Sequence, residues 1–228
     1  MILDAFKFTN NLFSNHFSKF LLVVLPLYVI IFLVYLQISS VPGNEFGTTT
    51  AFTYQELVVN LLTLYSVILS ILLIDDICKE RKRSISNYLY LGAYLYFKVL
   101  LINLITAFAV ILGFFLLILP GLYISARLLF ASYLAIIFDE GIVDSLKKSI
   151  ELTKGKGWRV LGYLFAVVVP LIFILILVLS GPAVFLSEKN MNAYIALTFS
   201  FSFLFTVYIT IYSYRLLINI TKTSDELN

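Results

Sequence analysis

Arg127 is the residue whose type and position most directly suggest chemistry, because it lies inside a long apolar run. A guanidinium within a membrane span costs at least about 2.5 kcal/mol on insertion scales and usually has a partner. Its planar fork can hold a phosphate through two hydrogen bonds. Arg127 therefore predicts either a site for an anionic lipid headgroup or substrate phosphate, or a structural contact. In the structural alternative the side chain caps helix carbonyls or snorkels to the interface.

A band of basic residues downstream of Arg127 is the second candidate site. Its members are Lys147, Lys148, Lys154, Lys156 and Arg159. Each cation near an anionic leaflet adds about 1 kcal/mol of attraction, so the band predicts anchoring to membrane lipids. A groove for a headgroup, or a protein partner in the cell envelope, is the further possibility. Ser149, Thr153 and Gly155 could position a phosphate, although their spacing is not that of a P-loop.

Two pairs of carboxylates, Asp75-Asp76 and Asp139-Glu140, end apolar runs. Paired carboxylates can bind a divalent metal or share a proton. We interpret both pairs as structural, because screened ion pairs at a wet interface explain them without catalysis. The neighbouring cations are Lys79, Arg81 and Lys147.

The scarcity of cysteine and histidine narrows the chemistry further. Cys78 is the only cysteine and His16 the only histidine. We therefore expect no metal site, no cofactor and no histidine-based catalytic triad. The net charge of +3 is small and the cations lie in short clusters, so we expect no binding to nucleic acid.

The overall composition indicates that the helices carrying these residues lie in a lipid bilayer. Of the 228 residues, 61% are hydrophobic and 13% charged. Continuous apolar runs in hydrocarbon must form helices, which satisfy their own backbone polar groups. The sequence thus predicts an all-α, polytopic membrane helical bundle over residues 1–228, a single integral membrane domain. The six predicted spans are 20–38, 54–74, 99–119, 122–138, 160–180 and 193–217.

Basic residues set the predicted orientation, because lysine and arginine are retained on the cytoplasmic side. With both termini in the cytoplasm, fourteen of the sixteen lysines and arginines lie inside. Arg127 lies within a span, and Lys189 falls in the outer loop predicted over residues 181–192. The inverted orientation is strongly disfavoured.

Three cytoplasmic amphipathic interfacial segments are predicted before the three pairs of spans, over residues 1–18, 80–97 and 141–157. The first places Ile2, Phe6, Phe13, Phe17 and Phe20 on one face, although Phe8 and Leu12 interrupt the pattern. The second begins with a basic cluster, which is followed by several tyrosines. Tyrosine rings are typical of the lipid headgroup region. The third is predicted to form an apolar stripe and to end at two glycines. Its stripe comprises Ile142, Leu146, Ile150 and Thr153, and the glycines are Gly155 and Gly157.

Pro120 and Gly121 are all that separates the third and fourth predicted spans. Proline interrupts a helix and glycine accepts the positive φ of a tight reversal. The step from Leu119 to Gly121 therefore predicts the tip of a helical hairpin. The alternative is a re-entrant or broken helix, with this step at membrane depth and shielded by protein or water.

The stretch from Pro120 to Arg159 resembles a specific family pattern. The residues that carry the resemblance are Pro120, Gly121, Arg127, Glu140, Ser149 and the run Leu152-Thr153-Lys154-Gly155. They are similar to the YciC-like bacterial inner-membrane family and to the related membrane domain of some glycerophosphodiester phosphodiesterases. The resemblance implies a multi-pass protein of the bacterial inner, or plasma, membrane, and no reaction. This chain has Tyr133 and Leu134 where the pattern leads us to expect a proline after the arginine.

The leading functional hypothesis is a non-enzymatic membrane protein that binds or organises lipid, or scaffolds an envelope partner, through residues 120–159. A transporter of a small solute or lipid is the alternative, although only Arg127 is clearly an ionisable group deep in a span. An intramembrane enzyme would have to rely on aspartates, and we do not expect one. The oligomeric state is left open.

Overall fold

All secondary structure in the described part of the chain is α-helical, in agreement with the predicted fold class. The computed structural model describes residues 2–39, 49–185 and 191–225. Within these ranges the helices are α1 (Ile2–Val23), α2 (Leu25–Ser39), α3 (Thr49–Cys78), α4 (Ile85–Leu116), α5 (Ile118–Leu128), α6 (Ala131–Ile137), α7 (Ile142–Leu152), α8 (Gly157–Phe185) and α9 (Met191–Asp225).

Five helical stretches are long and apolar enough to cross a membrane. They are Glu56–Cys78, Ile85–Leu116, Ile118–Ile137, Gly157–Leu177 and Ala196–Lys222. The pair α1 and α2, bent by 52°, passes the same test as a sixth stretch. Five to six such stretches fit a multi-pass membrane protein. α8 extends to Phe185, into the loop predicted over residues 181–192, and Lys189 lies outside the described residues.

α1 packs on α9 partly through the predicted face. The rings of Phe6 and Phe13 lie 6.4 and 6.1 Å from the Tyr208 ring of α9, centroid to centroid. Ile2 and Phe6 nevertheless remain 39% and 43% exposed. Ala5, which was not predicted on this face, is buried beside Tyr212, because a small side chain lets two helix backbones approach closely. The contact is completed by polar pairs, in which Arg215 lies 3.2 Å from Asp4 and Tyr208 donates to Asn10 at 2.8 Å.

The bend between α1 and α2 coincides with Pro26, the second residue of α2. Proline has no N–H and clashes with the carbonyl four residues earlier, so the first turn of a helix accommodates it without losing a hydrogen bond. Pro170, in contrast, lies inside the continuous helix α8.

α4 is one helix of 32 residues, about 48 Å long at 1.5 Å per residue. The surface segment predicted over 80–97 is therefore not a separate helix, because its residues from Ile85 onwards begin α4. Ser84 caps this helix, its side chain accepting a hydrogen bond from the Asn87 amide at 3.3 Å.

α4 and α5 form the predicted reversal, but the turn lies at Leu117 and not at Pro120-Gly121. Pro120 falls in the first turn of α5, where its missing N–H has no helical partner to lose. Gly121 has no positive φ. Its role is close packing, since a Cβ there would lie 2.8 Å from the Phe114 backbone nitrogen. The antiparallel pairing continues to Asp139, whose carboxylate lies 2.8 Å from Lys98 Nζ.

The fourth predicted span consists of two helices, α5 and α6, separated at Leu129 and Phe130. The break occurs without the proline that the family pattern led us to expect. Both residues keep right-handed φ and ψ, so the helix is interrupted without a reversal. Phe130, in the break, and Leu134, in α6, are buried in the main core, where α6 packs against α3.

Candidate functional site

Arg127 and α7 are joined by a reciprocal set of hydrogen bonds. The Arg127 guanidinium donates from Nη2 to the Ile150 carbonyl at 2.6 Å. In the other direction, the Ser149 hydroxyl donates to the Arg127 carbonyl at 2.7 Å. Thr153 Oγ1 lies 3.4 Å from the same carbonyl and 2.7 Å from the Ser149 carbonyl. We call this set the α5–α7 clamp.

The clamp satisfies backbone groups that helix ends leave without partners. α5 ends at Leu128 and α7 at Leu152, so the carbonyls of Arg127 and Ile150 both lie in final helical turns. This geometry corresponds to the structural alternative for Arg127, in which the side chain caps a helix. The ring of Tyr123, whose centroid lies 5.6 Å from the guanidinium carbon, covers another side of the cation. Arg127 Nε is buried without a partner among the described residues.

Three residues of the resemblance, Arg127, Ser149 and Thr153, meet in the clamp. The two glycines do not end α7 as predicted, because the helix already ends at Leu152 with Thr153 as its C-cap. Gly155, with a φ of +69°, lies in the turn that follows, and Gly157 begins α8. Glu140 lies at the other end of α7, where it pairs with Lys148. Pro120 and Gly121 are at the hairpin and do not contact the clamp residues through any hydrogen bond in the described part of the chain.

The inward face of α7 is more polar than predicted. Ser145, Ser149 and Thr153 are fully buried, whereas Ile150 is 41% exposed. Ile142 and Leu146 do turn inward, packing beside Ile102, Ala131 and Ala135. The hydroxyl residues take the inner positions because they are small and can donate to free carbonyls, which alkyl side chains cannot.

The basic band divides into engaged and exposed cations. Lys148 pairs with Glu140 and lies 5.3 Å from the Phe138 ring centroid. Lys147, Lys154 and Arg159 are exposed and Lys156 is half-buried. The ion pairs found among the described residues do not involve these four.

Trp158 extends the exposed part of the band. Its ring is 55% exposed and lies 5.6 Å from the Tyr123 ring, centroid to centroid. Gly157 allows this close approach, since a Cβ there would lie 2.6 Å from the Tyr123 ring. Amphipathic rings of this kind settle at the membrane–water boundary.

Asp75 and Asp76 are not at a wet interface, contrary to the sequence interpretation. Their exposed fractions are 4% and 1%. The predicted cations do pair with them: Lys79 Nζ lies 2.9 Å from Asp75, and Arg81 contacts both carboxylates. Arg83 adds a pair with Asp76 at 3.1 Å, and the Tyr214 hydroxyl donates to Asp75 at 3.1 Å. We call these residues the acidic cluster.

Burial of the acidic cluster follows from contacts that the sequence does not reveal. Tyr214 belongs to α9, 139 positions from Asp75, and nothing in either local sequence indicates that α3 and α9 pack together. The second pair of carboxylates, Asp139 and Glu140, is more exposed than Asp75 and Asp76. Its partners are not Lys147, which was the cation predicted to neighbour it. Asp139 pairs with Lys98, and Glu140 with Lys148.

Within the described ranges, no group of three or more His, Cys, Asp or Glu side chains is arranged to hold a metal ion. No protein-family model, curated protein or solved structure matches this chain.

Proposed function

We propose that this chain is a non-enzymatic, multi-pass membrane protein that binds anionic lipid at the cytoplasmic surface of the bacterial inner membrane. The resemblance around Arg127 and the distribution of lysine and arginine support the choice of membrane and the cytoplasmic termini. Lipid is bound by the exposed cations at the end of α7 and the start of α8, and not by the Arg127 guanidinium, which is engaged in the α5–α7 clamp.

One observation carries this proposal: an exposed stripe on α7 alternates apolar and cationic residues. Val143, Lys147 and Ile150 follow one another at spacings of four and three residues, which keeps them on one face of α7, and the exposed Lys154 follows in the turn after the helix. Val143 is 58% exposed. Apolar side chains on such a face can enter the acyl boundary while lysines extend to lipid phosphates. At the start of α8, Trp158 adds an exposed aromatic ring and Arg159 adds another exposed cation.

The proposal is tested by the lipid composition around the reconstituted protein. Spin-labelled phosphatidylglycerol and phosphatidylcholine report which lipid is enriched at the protein surface. We expect a preference for phosphatidylglycerol that falls with added salt and in the variant Lys147→Ala/Lys154→Ala/Lys156→Ala/Arg159→Ala. The control Lys7→Ala removes an exposed cation on α1 and retains the preference. An equal preference in the quadruple variant and the parent protein would rule out the band as the binding surface.

Transport of a small solute or lipid is the second candidate, and the burial of Asp75 and Asp76 favours it. Ionisable groups inside a helical bundle are typical of coupled transporters. Here both carboxylates are paired with cations, which favours a structural role and leaves transport second. Uptake of labelled lipid or solute into proteoliposomes that depends on Asp75 would reverse this order.

A further inference from the structure

A cavity of about 350 Å³ opens between α1, α3 and the turn that joins α3 to α4. Its volume lies at the lower end of the roughly 300–1,000 Å³ typical of small-ligand sites. Three helices supply its apolar walls, which comprise Leu22, Val23, Leu73, Ile77 and Ile85. Leu22 and Ile85 are 58% and 45% exposed, so the apolar surface continues outward from the cavity.

Cations line the same cavity. Lys19 comes from α1, and Arg81, Lys82 and Arg83 come from the turn after α3. Lys19 and Lys82 are exposed and take no part in the ion pairs found among the described residues. The cavity therefore presents two unpaired positive charges at its polar side, next to hydrocarbon walls.

Arg83 is positioned for a ligand by the acidic cluster. Its Nε lies 3.1 Å from Asp76, and its guanidinium carbon lies 5.5 Å from the Tyr88 ring centroid. These contacts fix the plane of the guanidinium and leave Nη1 buried, with no hydrogen-bond partner among the described residues. The side chain is 21% exposed and lines the cavity, so its charge adds to those of Lys19 and Lys82.

We propose that this cavity binds one anionic phospholipid. Its phosphate contacts the unpaired Lys82 and Lys19 beside Arg83, and an acyl chain follows Leu22 and Ile85. A free phosphate ester would satisfy the cations but leave the apolar walls exposed, which is why we assign the lipid. The inference rests on the proposed function only in requiring that this surface face a membrane. It adds a discrete site for one lipid, separate from the band on α7 and α8.

Native mass spectrometry of the delipidated protein in detergent tests the site by counting bound lipids during titration. We expect one phosphatidylglycerol to bind well before any phosphatidylcholine. Lys82→Glu replaces an exposed cation and should weaken this first binding event about tenfold or more. Ile85→Trp fills the cavity mouth without changing any charge and should weaken it similarly. Lys7→Glu, on α1 but outside the cavity, should bind like the parent protein.

Three outcomes would overturn the site. They are equal binding of phosphatidylcholine and phosphatidylglycerol, parental binding by both Lys82→Glu and Ile85→Trp, and displacement of the lipid by equimolar glycerol phosphate. The last would identify the headgroup alone as the ligand.

The quadruple band variant, taken through the same titration, separates the two proposals. If it loses lipid preference in the bilayer but still binds one phosphatidylglycerol in detergent, the cavity and the band are independent sites. If the cavity variants bind normally while the band variant loses its preference, only the band binds lipid and the cavity assignment is wrong. If the cavity variants lose binding and the band variant keeps its preference, the cavity stands and the band is excluded.

Discussion

At the scale of single residues, small polar side chains hold this helical bundle together where they satisfy otherwise free backbone groups. Ser149 is the clearest case, since its hydroxyl is fully buried and donates to the Arg127 carbonyl. Removing a partner from a buried polar group costs about 1–3 kcal/mol. Because Thr153 lies farther from the same carbonyl, at 3.4 Å, it compensates only in part.

We therefore predict that Ser149→Ala destabilises the protein by about 1–3 kcal/mol. Thermal unfolding in detergent, followed by circular dichroism, measures the change. Ser14→Ala is the matched control, because Ser14 is exposed on α1 and its bond to the Asn11 carbonyl is long, at 3.2 Å. Equal stability of the two variants would show that the clamp contributes nothing.

The acidic cluster leads to a second prediction about single residues. Asp76 is 1% exposed and pairs with Arg81 and Arg83, and because Arg81 also pairs with Asp75, Asp76→Asn leaves Arg83 alone without a carboxylate. Breaking a buried ion pair costs about 3–5 kcal/mol, and the lower end applies because the Arg83 side chain is 21% exposed. The control Asp139→Asn breaks a pair whose carboxylate is 78% exposed and should cost at most about 1 kcal/mol. Chemical denaturation of both variants tests the difference.

At the scale of elements, the hairpin of α4 and α5 depends on close contact between two backbones. A Cβ on Gly121 would lie 2.6 Å from the Phe114 ring, whereas a Cβ on Gly162 in α8 would meet nothing within 4 Å. Gly121→Ala should therefore destabilise the protein by about 1–3 kcal/mol through overpacking. Gly162→Ala should be neutral or slightly stabilising, since alanine favours helices. Thermal unfolding compares them, and similar melting temperatures would exclude a close hairpin contact.

The turn of this hairpin is suited to lipid and not to water. Phe115 is 90% exposed and Leu117 is 69% exposed, and no polar side chain occurs from Ala107 to Leu122. The backbone of the turn is largely paired: the Leu117 amide donates to Gly113 and its carbonyl accepts from Gly121. A turn with satisfied polar groups can remain at membrane depth, where a free loop cannot.

At the scale of the whole molecule, the distribution of charge predicts which surface faces the cytoplasm. In a Cys78→Ser background, we expect Glu80→Cys to react with a membrane-impermeant maleimide in inside-out vesicles and not in intact cells. Leu117→Cys, at the hairpin turn, should resist the reagent from both sides until detergent is added. Labelling of Glu80→Cys in intact cells would reverse the proposed orientation, and labelling of Leu117→Cys in either preparation would place the turn in water.

The helical class, the apolar stretches and the clusters of basic residues between them could be predicted from the amino-acid sequence alone. These follow from local properties, because an apolar run of sufficient length must satisfy its own backbone and therefore becomes a helix. The pairing of Asp75 with Lys79, four residues apart, and the positive φ of Gly155 in the turn after α7 are local as well. Neighbouring residues alone are enough to predict them.

Only the tertiary structure decided what the polar residues contact. The sequence places Arg127 in a span, but the packing of α7 on α5 engages its guanidinium with Ile150 and its carbonyl with Ser149. Asp75 became buried because Tyr214, far away in the sequence, packs over it. The hairpin turned at Leu117, three residues before Pro120, because glycine contacts between α4 and α5 set the position of closest approach. Such contacts join distant segments, and no pattern within a single helix specifies them.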